Sequence, residues 1–66
     1  MQEYQKRVVL EKEELDIKLV KLINFFETPM FAGLDEAEQY RLKRQSVIMT
    51  DYSVILGERI GAFNEG

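Results

Sequence analysis

The apolar residues in the second half of the chain recur at helical spacing on several faces. One column repeats every seven residues and has two close neighbours: Leu42, Met49, Leu56 and Phe63, with Ile60 and Tyr52 beside them. This spacing predicts the core-facing stripe of an amphipathic helix. Two further columns lie to one side of it: Ile48, Ile55 and Ala62, and then Tyr40, Val47 and Val54. A lone hairpin would leave these two columns in water.

The first half of the chain repeats this pattern. At about 100° per residue, one face collects the residues that we expect to form the core: Val8, Leu15, Leu19, Leu22, Ile23 and Phe26, with Tyr4 at the N-terminal end. Leu10 and Ile17 point nearly the opposite way, and Val9 and Val20 lie between. Contiguous apolar columns on both helices favour a partner surface over scattered exposure. The simplest interpretation is self-association, and the alternative is a monomeric hairpin with an apolar surface.

The break between the two patterns is marked by Thr28 and Pro29. Proline disfavours a helical conformation in the residue before it, whereas threonine is a good N-cap and proline a good first helical residue. Asp35 with Glu38 resembles a capping box that starts the second long helix. We therefore predict a single all-α domain over residues 1–66, an antiparallel helical hairpin. Helix one spans about 2–27, a short helical turn lies within 28–34, and helix two spans about 35–63.

A strip of small residues also runs along helix two: Ser46, Thr50, Ser53, Gly57 and Gly61. Each glycine costs a helix about 1 kcal/mol relative to alanine, so Gly57 and Gly61 indicate either close approach of another backbone or a point where the helix bends or frays.

Composition narrows the possible functions. The 66 residues contain no His and no Cys, so the common nucleophile-base pairs, thiolate metal sites and disulfides are excluded. The carboxylates at Glu11, Glu13, Glu14 and Asp16 are interpreted as solvating and ion-pairing groups. We therefore expect no enzyme activity, no metal and no cofactor. No apolar run is long enough for a membrane span, and so short a chain usually needs oligomerisation to complete a core.

The net charge of -3 argues against long-range attraction to a polynucleotide. Individual cations remain candidates for ligand binding. Arg7, Lys18 and Lys21 share one side of helix one, and Arg59 lies on the column of Ile48 and Ile55. For any one of them a solvated surface position is the simpler interpretation. An oligomer axis, however, brings identical cations together and can build a phosphate site.

The order of residues resembles small phage proteins related to the anti-CBASS cyclic-nucleotide sponges. The resemblance rests on Tyr4-Gln5-Lys6-Arg7-Val8-Val9, Glu14-Leu15-Asp16, Lys18-Leu19, the turn Thr28-Pro29-Met30-Phe31, and the run from Tyr52-Ser53 through Leu56-Gly57-Glu58-Arg59-Ile60. It implies a homo-oligomer, a hexamer of helical hairpins, that acts in the host cytoplasm. Such proteins bind cyclic dinucleotides and cyclic trinucleotides without cleaving them and so block CBASS signalling.

The resemblance also implies ligand-binding residues. Tyr4 would stack on bases, and Lys18 would meet the phosphates of a cyclic dinucleotide in a pocket shared by two chains. Arg59 would serve a separate trinucleotide pocket at a threefold axis. Arg7, on the same side of helix one as Lys18, completes the predicted ligand-binding set. Val20 stands near the place where better-known members carry a hydroxyl residue, a departure that bears on ligand preference.

Two other functions fit the residues. The surplus apolar columns could dock on a host protein, which would make the chain a small adaptor or inhibitor. Arg41, Lys43 and Arg44 could serve a nucleic-acid accessory factor, although the acidic balance argues against it.

Overall fold

The computed structural model describes residues 1–63 and contains three helices in this part of the chain. They are α1 (Glu3–Phe25), the short α2 (Pro29–Ala32) and α3 (Glu36–Ala62). α1 and α3 pack against each other as a hairpin, so the predicted all-α hairpin is confirmed. None of the three helices is long and apolar enough to cross a bilayer.

Local chemistry explains the turn between the long helices. The Thr28 hydroxyl accepts the Phe31 N–H at 3.2 Å and donates to the Phe25 carbonyl at 2.7 Å, so one side chain ends α1 and starts α2. Phe31 is buried, and its ring packs against Phe26 with 5.0 Å between centroids. The Gln39 side-chain amide donates to the Phe31 carbonyl at 3.0 Å and ties the turn to α3. The hairpin is thus closed by both an apolar and a polar contact.

The start of α3 differs in one detail from the predicted capping box. The Asp35 carboxylate accepts the Glu38 N–H at 2.8 Å, as an N-cap should. The Glu38 side chain does not return to the Asp35 backbone, because it accepts from Arg41 Nε at 2.7 Å. Only the forward half of the box forms.

The core is thin. Among residues 1–63 the buried apolar side chains are Val8, Phe31 and Leu56, and Leu56 is completely buried. Three residues that the periodicity assigns to the core face are instead well exposed: Tyr4 at 55%, Ile23 at 48% and Tyr52 at 42%. Because α3 packs against only one long helix, the contact covers a strip of its surface that is narrower than the arc of apolar residues on the same helix.

The expected surplus of apolar surface is present. Val47, Ile48, Val54 and Ile55 are each 54–62% exposed. Residues on the outer side of α1 are similarly exposed, including Leu10 at 53% and Ile17 at 57%. The principal extents are 49 × 14 × 14 Å, and the Cα radius of gyration is 15.1 Å, against about 11 Å for a compact domain of this length. The hairpin is therefore a rod with much of its apolar area outside the core.

Contacts between α3 and α1 explain part of the strip of small residues. A Cβ on Gly57 would lie 3.4 Å from Lys12 Cε, and one on Gly61 would meet nothing within 4 Å. In this hairpin, Gly57 faces a flexible side chain and not the backbone of another helix. The strip thus meets α1 through Ser53 and Gly57 and is open at Gly61.

Two broad faces flank the core stripe. The serine face carries Ser53 and Gly57 of α3 next to Lys12 and Asp16 of α1, as their contacts show. At about 100° per residue, the opposite face carries another set, which we call the tyrosine face: Tyr4, Arg7, Glu11, Glu14 and Lys18 of α1, and Ile48, Tyr52, Ile55 and Arg59 of α3. All four predicted ligand-binding residues lie on the tyrosine face.

We predict that Leu56→Ala lowers the free energy of unfolding by about 2–5 kcal/mol, because it opens a cavity in the fully buried centre of the core. Denaturant unfolding at one fixed protein concentration measures this loss. Val47→Ala is the control: its side chain is 61% exposed, so a loss within about 0.5 kcal/mol is expected. Equal losses in the two variants would contradict the assignment of the core.

Candidate ligand-binding site

The candidate site lies at the open end of the hairpin, where α1 begins and α3 ends. Tyr4 stands in the first turns of α1, and its ring packs edge-on against Phe63 with 5.8 Å between centroids and 80° between planes. Tyr4 therefore has two roles in one position. One edge of the ring closes the end of the core, and 55% of the residue remains accessible to solvent.

Arg59 borders the same depression as Tyr4. This open surface depression is lined by Gln2, Tyr4, Gln5, Arg59, Ala62 and Phe63. Arg59 stands in the last turn of α3, where a cation also interacts favourably with the helix dipole. The structure thus joins an aromatic face, a guanidinium and two side-chain amides, a combination that suits a planar anionic ligand.

On the rim of the depression, one polar side chain is held by a hydrogen bond to the backbone of the same chain. The Gln5 side chain accepts the Gln2 backbone N–H at 2.8 Å, which satisfies a free donor at the start of α1.

Lys18 is not part of this depression. It lies on α1 fourteen residues beyond Tyr4, which corresponds to about 21 Å along the helix axis. Both side chains are exposed on the tyrosine face. Within one chain, Tyr4 and Lys18 are therefore too far apart to hold one small ligand, and a pocket that uses both requires a second chain.

Arg7 is exposed on α1 one turn beyond Tyr4. The i,i+4 ion pairs that the sequence suggests, Arg7 with Glu11 and Glu14 with Lys18, are not formed. In the described part of the chain the ion pairs are Lys12 with Asp16 and Arg41 with Glu38. Long exposed side chains gain little from such pairs in water, so these four charges point into solvent.

Sequence reasoning missed a polar cluster on the serine face. Ser53, 9% exposed, donates from Oγ to Asp16 Oδ1 at 2.5 Å. Lys12 Nζ donates to Ser53 Oγ at 2.8 Å and to Asp16 Oδ2 at 2.9 Å. The available signals were the i,i+4 spacing of Lys12 and Asp16 and the place of Ser53 in the small strip. The cluster links α1 to α3 and fixes which residues of the two helices lie side by side.

The cluster also stabilises the charged form of Asp16. The hydrogen bonds from Ser53 and Lys12 and the charge of Lys12 lower the pKa of the Asp16 carboxyl, whereas partial desolvation raises it.

Elsewhere on the surface, two cations lie over aromatic rings. Lys43 Nζ lies 4.3 Å from the centroid of the Phe26 ring, and the Arg44 guanidinium lies 5.5 Å from the centroid of the Tyr40 ring. Near the start of α3, Lys43 and Arg44 thus lie against aromatic rings of the same chain, whereas Arg41 pairs with Glu38.

Comparison with known proteins adds the family. The model of the Sequestin family matches residues 2–62, nearly the whole chain. The chain belongs to the Sequestin family. No curated protein and no solved structure matches it significantly. The name of the family suggests a sequestering function, which fits the coarser part of the expected resemblance.

The Asp16 cluster predicts a pH dependence of stability. Because the pKa of Asp16 is lower in the folded chain than its ordinary value of 3.8, this carboxyl is protonated at a higher pH in the unfolded chain than in the folded one. The stabilisation is complete well above pH ~4 and is lost as the pH falls through the lowered folded pKa. Ser53→Ala removes the largest cause, so its unfolding free energy should depend less steeply on pH in this acid range.

The control for this pH series is Ser46→Ala. The Ser46 hydroxyl donates to the Lys43 carbonyl on its own helix and touches no carboxylate. Its stability curve should run parallel to that of the unmodified chain below pH ~5. If the Ser53→Ala curve were equally parallel, the hydrogen bond to Asp16 would have no part in acid stability.

Proposed function

We propose that this Sequestin binds cyclic dinucleotides and cyclic trinucleotides and sequesters them without cleavage. The observation that carries the proposal is that Tyr4 and Arg59 border the same open depression, so that an aromatic ring and a guanidinium are both presented at one end of the hairpin. A cyclic oligonucleotide combines flat bases with phosphodiester anions, and stacking on an aromatic ring contributes about 1–3 kcal/mol per base. A guanidinium supplies directed donors to the phosphate oxygens.

The remaining predicted residues enter this proposal through assembly. Lys18 is about 21 Å from Tyr4 in one chain, so a pocket containing both must be completed by a second hairpin whose α1 runs antiparallel to the first. A cyclic dinucleotide has two phosphates and two base faces, which suits a twofold site with one lysine and one tyrosine from each chain. Arg7 lies on the same face between them. A hexamer would repeat such sites, with Arg59 serving trinucleotides at a threefold axis.

Non-enzymatic action is part of the proposal. The chain contains no His or Cys, and the one carboxyl whose pKa is resolved as shifted, that of Asp16, is shifted downward. A lowered pKa favours a permanently charged carboxylate over a general acid or base poised near neutral pH. Sequestration in the host cytoplasm would remove a phage-sensing second messenger from CBASS effectors, and the messenger would be released intact on denaturation.

Calorimetric titration with a panel of cyclic di- and trinucleotides tests the proposal. Tyr4→Ala should weaken binding about 5- to 150-fold through lost stacking, whereas Tyr4→Phe keeps the ring and should bind nearly normally. Lys18→Ala and Arg7→Ala should weaken dinucleotide binding, and Arg59→Ala should weaken trinucleotide binding, each by at least about tenfold. Lys6→Ala, an exposed cation of α1 outside the tyrosine face, is the matched control.

Chromatography of the ligand after denaturation supplies the second readout. Intact cyclic nucleotide should be recovered in the amount added, and a linear product would rule out sequestration. Absence of binding across the whole panel would rule out the ligand class. A monomer that captures a host protein through its exposed apolar columns would instead support the adaptor function.

A further inference from the structure

The Gln5 side chain stands at the rim of the candidate depression with its amide held in one orientation. Its Oε1 accepts the Gln2 backbone N–H at 2.8 Å. A backbone N–H can only donate, so the amide oxygen, and not the amide nitrogen, must face it. The start of α1 therefore fixes the orientation of the Gln5 amide and occupies its oxygen.

The Gln5 amine remains available to a ligand. Within residues 1–63, the only hydrogen bond of this side chain is the one that its oxygen accepts from Gln2. Gln5 is half-buried, and it lines the same depression as Tyr4 and Arg59. Beside the exposed Tyr4 ring, Gln5 thus offers a hydrogen-bond donor without the acceptor that a glutamine usually offers with it.

The other side chains that line the depression with Tyr4 add no acceptor that is held in place. The Arg59 guanidinium can only donate, and Ala62 and Phe63 carry apolar side chains. Gln2 is exposed at the N-cap of α1, where water competes for its amide. The directed polar side chains of the depression are therefore donors.

The two purine bases differ in what they offer to such a donor. Guanine carries two adjacent acceptors, O6 and N7, on one edge, whereas adenine carries the N7 acceptor next to the N6 amine. A glutamine with a free amide matches adenine by donating to N7 and accepting from N6. Gln5 cannot do this while its oxygen holds the Gln2 N–H, and its amine would then face the adenine amine. Guanine meets the same amine with acceptors only.

We propose that Gln5 is a specificity-determining residue of this depression and that it favours guanine over adenine in a base stacked on Tyr4. The inference rests on the proposed function, because it takes the ligand to be a cyclic nucleotide. Turning the amide over to suit adenine would place its amine against the Gln2 N–H and would leave a donor at the start of α1 without its partner. The base preference is therefore built into the chain before any ligand binds.

Calorimetric titration with cyclic di-GMP and cyclic di-AMP of the same linkage tests the preference. The two ligands have the same sugar-phosphate ring and charge, so they differ only in their bases. Cyclic di-GMP should bind at least about fivefold more tightly. Equal binding, or tighter binding of cyclic di-AMP, would overturn this inference and leave the proposed function intact. Absence of binding to both ligands and to the rest of the panel would overturn the proposed function and this inference together.

Exchange of the Gln5 amide for a carboxylate tests the role of the amine. Gln5→Glu keeps an oxygen for the Gln2 N–H, as glutamate does in a capping box, but replaces the amine by a second acceptor. Because the added charge weakens both ligands, the readout is the ratio of their dissociation constants. The preference for guanine should fall at least about fivefold, and an unchanged ratio would overturn the role of the amine.

Gln45→Glu is the matched control for this exchange. It adds the same charge at an exposed position of α3, fourteen residues from Arg59 and thus about 21 Å away along the helix axis. The ratio of the two dissociation constants should stay within about twofold of that of the unmodified chain. A change as large as that of Gln5→Glu would show that charge alone moves the ratio, and would overturn the inference.

A purely structural role for Gln5 predicts a different outcome. If Gln5 only orders the start of α1, Gln5→Ala should weaken the two ligands by the same factor, because it disturbs the position of Tyr4. The proposal predicts instead that cyclic di-GMP loses most of its advantage over cyclic di-AMP, while circular dichroism shows that the helices are kept. Equal weakening of the two ligands would overturn the proposal.

Nuclear magnetic resonance of the side-chain amides gives a direct readout. The Gln5 NH₂ signals should shift when cyclic di-GMP is added and should shift less with cyclic di-AMP at equal saturation. The Gln45 NH₂ signals should move with neither ligand. Gln5 signals that stay in place when cyclic di-GMP binds would overturn the contact between its amine and the base.

Discussion

Two long helices in contact can shield only one strip of each other, and this limit governs the rest of the structure. Leu56 is completely covered, whereas Tyr52, four residues earlier on nearly the same side of α3, is 42% exposed. The hairpin has no second layer to cover the wider apolar arc. Most of its apolar side chains therefore lie at surfaces, and the fold of one chain leaves room for contacts made by several.

The polar Lys12–Asp16–Ser53 cluster matters more in such a rod than it would in a large domain. Apolar contact between two helices restricts sliding along their axes only weakly, because neighbouring positions of the stripe offer similar packing. A buried hydroxyl between a carboxylate and an ammonium group is satisfied in one register only. The cluster thus sets the level at which α1 meets α3. It also brings Tyr4 to Phe63 at the open end, where the candidate ligand site lies.

In the candidate site, residues that stabilise the fold also border the depression that is proposed to bind ligand. Tyr4 closes the core with one edge of its ring and offers the remainder to solvent, and Arg59 complements the dipole at the end of α3 while bordering the same depression. Both residues therefore contribute to the stability of the fold as well as to the candidate site. Lys18 stands about 21 Å away, so a site that holds both Tyr4 and Lys18 would need a second chain.

The sequence by itself determined the elements. Heptad spacing, the Thr28-Pro29 break and the Asp35 cap were enough to predict two long helices joined by a short turn, because capping and amphipathic periodicity are local properties. The surplus of apolar columns could also be predicted, because helical spacing alone shows on how many faces each helix carries apolar residues.

What only the tertiary structure decided was which side of each stripe meets the other helix. Periodicity placed Tyr52 and Ile23 in the core with Leu56, and could not tell that the contact strip is too narrow to hold them. It likewise could not pair Ser53 with Asp16, thirty-seven residues apart, because the register of two helices is set by side chains that meet only when the hairpin closes.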